Sequence, residues 1–146
     1  MKKIILTETN FNKLKLLIKE NKEKEIIFTS TDDEFNRKVM EKLPIQIILI
    51  PLENRKDYAK QRNSGFNQVM AKIAKKNKIK IGIKLDELIL TKNKEKLLAR
   101  LKQNIILCNK NKVDMIFIIE KNKRDIHELK ALGSTLGMPT WMTKKL

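Results

Sequence analysis

Residues 45–85 read IQIILIPLENRKDYAKQRNSGFNQVMAKIAKKNKIKIGIKL. The stretch opens on the most hydrophobic run of the chain, Ile45 to Ile50, and closes on a second β-branched run, Ile79 to Ile83. A nearly unbroken apolar run is what a strand covered on both faces requires. Between the two runs, Phe66, Val69, Met70 and Ile73 recur at helical spacing. Gln68, Lys72, Lys75 and Lys76 fill the other positions, and Ser64 stands where an N-cap belongs. Strand, helix, strand in that order is the repeating unit of a parallel α/β sheet. The segment Leu52 to Ser64 carries one aromatic and no apolar period, so it reads as a long strand-to-helix loop of the kind that carries function.

The alternation continues in both directions. Lys3 to Leu6 and Glu25 to Thr29 read as earlier strands, and Asp114 to Ile119 as a later one. Asn10 caps a helix to about Asn21 with Leu14, Leu17 and Ile18 on one face, and Ser30 to Asp33 cap another carrying Phe35, Val39, Met40 and Leu43. A short helix around Asp86 to Leu90, a long one from about Asn93 to Asn109 and a last one from about Asp125 to Leu136 follow. Gly137 sits where a left-handed cap belongs. Residues 138–146 add a short strand or an ordered tail, which brings the strand count to about six. No repeat, low-complexity linker or domain boundary interrupts the chain, so residues 1–146 are expected to form a single domain.

A chain of 146 residues has the length of one domain with one core. No apolar run approaches the ~20 residues that span a bilayer, and 41% hydrophobic content argues against disorder. The single Cys108 allows no internal disulfide, and the start MKKIILTETN lacks the apolar core of a signal peptide, so a cytoplasmic location without a membrane partner is expected. The formal net charge is +16, which favours a polyanionic partner, nucleic acid first. Only five of the 33 basic residues are Arg; base-composition drift can exchange Arg for Lys but does not by itself create a surplus of cations.

Catalytic candidates are few. His127 is the lone histidine, so a histidine-rich metal cluster is impossible, and a Cys108–His127 dyad would need the fold to bring the two together. No phosphate-binding glycine loop is present. Asp32, Asp33, Glu53, Asp57, Asp86 and Glu87 stand at expected strand ends, where a magnesium site could form, although helix capping and surface solvation explain them more simply. The cations are better grouped: Arg55, Lys56, Lys60 and Arg62 in one loop, Lys72, Lys75 and Lys76 on the next helix, Lys123 and Arg124 before the last. If these share one rim of the sheet they can neutralise several phosphates; the alternative is a scattered solvated surface. Outside the core only Phe66, Tyr58 and Trp141 are left for base stacking, which favours backbone over base recognition.

Asn54-Arg55-Lys56, then Gly65-Phe66-Asn67-Gln68-Val69-Met70-Ala71-Lys72 and the Ile- and Gly-bearing strand after it, resemble the ribonuclease P thirty-kilodalton protein family, protein component 3 of the archaeal enzyme. KRDIHELKALGSTLGM resembles that family's late helix at Arg124, Glu128, Leu129, Leu132, Gly137 and Met138, so the likeness covers roughly residues 25–140. The resemblance implies a TIM-barrel-like fold related to metal-dependent phosphoesterase barrels but without their metal ligands. It implies a subunit that is not catalytic alone, within an endoribonuclease that removes the 5′ leader of precursor tRNA. Implied partners are the ribonuclease P RNA, the small RNA-recognition-like component 2, the other protein subunits and, indirectly, precursor tRNA. No cofactor is implied for the protein; magnesium enters through the RNA. Implied RNA or subunit contacts are Lys38, Arg55, Lys56, Arg62, Gln68, Lys72, Lys76, Lys110, Arg124 and Glu128, with Glu128 orienting Arg124 one turn away. Gln68 replaces the family's usual His, which removes any proton-linked role there.

A full TIM barrel takes about 200 residues or more. Against the family pattern this chain starts after about two strand-helix units, so a reduced or open barrel with exposed sheet edges is expected. A general RNA-binding α/β module and, further off, a metal-dependent phosphoesterase are the rival readings.

Overall fold

The computed structural model of the protein describes residues 2–57, 63–121 and 123–146. The strands are β1 (Lys3–Leu6), β2 (Glu25–Thr29), β3 (Ile47–Leu49), β4 (Lys80–Lys84) and β5 (Met115–Ile118). The helices are α1 (Phe11–Glu20), α2 (Asp33–Lys42), α3 (Gln68–Asn77), α4 (Leu85–Leu90), α5 (Lys94–Asn111), α6 (Ile126–Thr135) and α7 (Thr140–Thr143). The strands form one sheet in the order β1-β2-β3-β4-β5, every neighbouring pair parallel.

That order decides the architecture. In a doubly wound sheet the strand order reverses and helices cover both faces. In a sheet whose strands follow chain order, right-handed crossovers put all helices on one face and leave the other to curl inward, as in a barrel. The apolar side chains divide accordingly. One large cluster joins the helices to the sheet, including Leu14 and Ile18 of α1, Val39 and Met40 of α2, and Leu97, Leu101 and Ile105 of α5. A second, smaller cluster consists of strand residues alone: Ile27, Ile47, Leu49 and Ile118, with Ile116 beside them. Gly82 lies among them, and a Cβ there would stand 3.1 Å from side-chain carbons of both Ile47 and Ile118. The inner face curls tightly enough that β4 carries no side chain at this position.

The sheet is a parallel α/β fold that does not close, a reduced TIM-barrel-like form with β1 and β5 at its edges. Five strands are present among the described residues rather than about six, because residues 140–143 form α7. The tail is helical since Pro139 opens the turn and Met142 packs fully buried against the core. Helix α3 also starts later than its sequence suggests. Asn67 caps it by accepting from Met70 N–H at 2.9 Å, while the Ser64 hydroxyl is buried and donates to Phe66 O at 3.2 Å. The later start turns Val69 outward to 46% exposure and leaves Met70, Ala71 and Ala74 facing the core. No helix among the described residues is long and apolar enough to cross a membrane.

Candidate nucleic-acid interface

The loop from β3 to α3 leaves the C-terminal end of the sheet, where α/β folds build their sites. Its described part lacks regular structure, so its backbone polar groups need partners from elsewhere. Two arginines supply them. The Arg100 side chain, 5% exposed within α5, donates to Leu52 O at 2.7 Å, to Arg55 O at 2.7 Å and to Asp57 Oδ1 at 3.1 Å. Arg55, 8% exposed, makes a two-pronged pair with Asp33 of α2 at 2.8 and 3.0 Å and donates to Pro51 O at 2.5 Å. Planar guanidinium groups suit this work because their fixed fork satisfies a carboxylate and several carbonyls at once. Gly65, at φ 71°, passes directly over the Arg55 guanidinium, where a Cβ would overlap it. The Asn54-Arg55-Lys56 and Gly65-Phe66-Asn67 stretches thus meet at the Arg55 guanidinium.

This arrangement bears on the expected contacts. Arg55 faces inward, committed to Asp33, while its neighbour Lys56 is exposed at the same rim. Arg62 lies outside the described residues, as do Tyr58 and Lys60. Arg124 is exposed just before α6, with Nε 3.8 Å from Glu128 Oε2. Gln68 exchanges two amide hydrogen bonds with Asn111, at 3.0 and 3.2 Å, and so ties α3 to the end of α5. Lys72 and Lys76 stand one turn apart on the exposed side of α3, and Lys110 is exposed in the last turn of α5. Lys38 lies on α2 with its ammonium 4.4 Å from the centre of the Phe11 ring. The cations therefore do not share one rim. Lys56 and Arg124 belong to the C-terminal end of the sheet, whereas Lys76 and Lys110 lie toward the opposite end, where α3 and α5 finish. Phe66 is 4% exposed and unavailable for stacking.

Five of the six strand-end carboxylates, all but Glu53, have structural partners. Asp32 caps α2 by accepting from Phe35 N–H at 3.1 Å, and Asp33 and Asp57 pair with the two buried arginines. Asp86 accepts from Lys121 N–H at 3.0 Å and Glu87 from Leu52 N–H at 2.9 Å. Burial raises the Glu87 pKa above the usual carboxylate value of 4.5, partly countered by that backbone hydrogen bond. Among the described residues no three metal-ligating side chains come together. Cys108 is buried within α5 and its thiol is pushed up to about 12 by desolvation, the opposite of an activated nucleophile, while His127 is exposed at the start of α6. Sequence reasoning missed Arg100; the available signal was an arginine in the apolar stripe of a helix, four residues before Asn104.

These features define an open, parallel α/β fold of reduced TIM-barrel-like form in a strongly basic chain, with exposed cations at both ends of the sheet. No protein-family model matches the chain. Among curated proteins it is similar to ribonuclease P protein component 3 of Methanococcus vannielii, 27% identical over 136 residues that cover 90% of this chain and 55% of that one. The same protein of Methanococcus maripaludis strain C7 is 25% identical over 145 residues, covering 97% of this chain and 59% of the relative. The chain thus spans just over half the length of the curated relatives it matches. Its fold matches a chain in a cryo-EM structure of archaeal ribonuclease P with mature tRNA at a TM-score of 0.80 and 20% identity, over 98% of this chain and 62% of that one. The resemblance to component 3 seen in the sequence holds across nearly the whole chain.

Proposed function

We propose that this chain acts as a noncatalytic subunit of an archaeal ribonuclease P, binding the catalytic RNA and supporting removal of the 5′ leader from precursor tRNA. The observation that carries the reading is the similarity to component 3 over 90–97% of the chain. Its physical basis is a chain of net charge +16 whose exposed cations can neutralise RNA phosphates, with few free aromatic faces for reading bases. Lys38, Lys56, Lys72, Lys76, Lys110 and Arg124 are the direct phosphate contacts. Arg55 and Gln68 act by holding the loop and helix that carry their neighbours, and Glu128 by orienting Arg124. Arg62, outside the described residues, is a further phosphate contact in this reading. Component 2 and the other protein subunits are the protein partners, precursor tRNA is met indirectly, magnesium arrives with the RNA, and assembly takes place in the cytoplasm.

A general RNA-binding module is the second reading, favoured by one observation: the exposed cations are divided between the two ends of the sheet rather than gathered on one rim. Titration of the matching ribonuclease P RNA against tRNA and ribosomal RNA fragments of equal length separates the two. The subunit reading expects the ribonuclease P RNA to be preferred at least tenfold at physiological salt, and Lys56→Ala with Arg124→Ala to weaken it more than Lys22→Ala with Lys144→Ala. Equal affinity for all RNAs favours the general module.

A further inference from the structure

Three helices of this chain end in the same hydrogen-bonded motif with different residues at its left-handed position. After α6 that residue is Gly137, at φ 103°, with Met138 N–H donating to Gly133 O at 2.9 Å and Gly137 N–H to Ser134 O at 3.1 Å. After α3 and α5 it is Lys78 and Lys112, both at φ 56°. The bonds are equivalent: Ile79 N–H to Ala74 O at 2.9 Å and Lys78 N–H to Lys75 O at 3.4 Å, then Val113 N–H to Cys108 O at 2.8 Å and Lys112 N–H to Asn109 O at 3.3 Å. Glycine adopts this conformation freely, whereas a lysine Cβ is strained in it. Attraction to the helix C-terminus is already served by Lys75 and Lys76 in the last turn of α3 and by Lys110 in that of α5.

The place of the two lysines supplies a reason. Helices α3 and α5 pack together and stop at the same end of the sheet, so Lys78 and Lys112 line one open cleft of about 280 Å³ with Lys75, Lys80 and Lys145. Asp114 is the one acidic lining residue, and Lys145 already pairs with it at 3.0 Å. Among the described residues, none of the exposed large apolar side chains lines the cleft. Trp141 beside it is half-buried and engaged, with Lys112 and Lys145 over its ring at 5.2 and 5.6 Å and its indole N–H held by Asn109 at 3.0 Å. A surface with cations, no free aromatic and no apolar wedge suits a phosphate backbone better than a base or a bilayer.

We propose that this five-lysine cleft, at the N-terminal end of the sheet, is an RNA backbone site separate from the C-terminal rim. The inference rests on the RNA-binding reading above and locates a contact that reading leaves out. The test is the affinity of the full chain for the matching ribonuclease P RNA as a function of salt, for wild type, K78G/K112G, K78N/K112N and a charge-matched control, K15A/K19A, on α1. The expected result is a salt slope reduced by about 0.7 to 0.9 per lost contact and about tenfold weaker binding in the two cleft variants. The thermal midpoint should not fall in K78G/K112G, because glycine relieves the left-handed strain. A wild-type slope in the cleft variants, or an equal loss in K15A/K19A, overturns the cleft while wild-type binding keeps the RNA reading intact. Absence of salt-dependent RNA binding by wild type overturns both. Loss confined to phosphatidylserine vesicles, with RNA binding unchanged, also overturns the proposal by assigning the cleft to a membrane surface.

Discussion

Replacing Arg100 by Met keeps the aliphatic stem packed in α5 and removes the guanidinium that organises the β3–α3 loop. Two carbonyls, Leu52 O and Arg55 O, each lose a donor at 2.7 Å, and Asp57 loses a partner at 3.1 Å. A hydrogen bond from a charged donor contributes about 1.5 to 3 kcal/mol. The Asp57 side chain is 24% exposed and keeps part of its hydration, so its share is about 1 kcal/mol or less. Removal of a buried charge returns some desolvation energy, which lowers the net loss to about 3 kcal/mol. With a urea m-value of about 2 kcal/mol/M, the midpoint of denaturation should drop by about 1.5 M, and the thermal midpoint by roughly 6 to 12 °C. Lys102→Met, on the exposed side of the same helix, is the control and should be near neutral. A loss below about 1 kcal/mol, or one matched by Lys102→Met, would refute the view that Arg100 holds the loop.

Gly65→Ala combines a left-handed backbone with overlap onto Arg55, and should lower stability by about 2 kcal/mol or more in urea titration; an unchanged midpoint would mean that the loop does not close over the guanidinium. Glu87 holds its proton more tightly folded than unfolded, so its contribution is fully present below pH 4.5 and is lost as pH rises through the raised folded value. Glu87→Gln should therefore gain stability relative to wild type between pH 4 and pH 7 in paired thermal melts, and a constant difference would contradict the burial argument. Cys108 should resist thiol reagents at pH 8 in the folded protein and react fully in urea; rapid native labelling would contradict its burial and its thiol value of about 12.

The parts of the fold legible in the sequence were those set by local chemistry. β3 declared itself by an uninterrupted apolar run, α1 by Asn10 and its apolar stripe, and the end of α6 by Gly137. What escaped depended on tertiary partners. Ser64 looks like a cap until the loop carries it into the interior and Asn67 takes the capping role. Val69 fits an apolar helical face, but a helix starting at Gln68 rotates it to solvent. The tail forms α7 rather than a sixth strand, with Met142 fully buried in the core, a tertiary contact that the local sequence does not announce. The charged residues were the least legible: nothing local marks Arg55 and Arg100 as inward and Lys56 as outward, since the distinction lies mainly in Asp33, Asp57 and two carbonyls distant in sequence from the arginines they meet. Lys78 and Lys112 were unreadable in advance because a lysine after a helix does not announce a left-handed backbone.

Reconstituted cleavage of precursor tRNA, with the matching ribonuclease P RNA and the other protein subunits at near-physiological magnesium and with this chain included or omitted, tests the central claim most directly. A ribonuclease P subunit predicts that omission abolishes or sharply slows 5′ leader removal, that adding the chain back restores it, and that the chain alone cleaves nothing. Cleavage at the same rate without the chain would contradict the account.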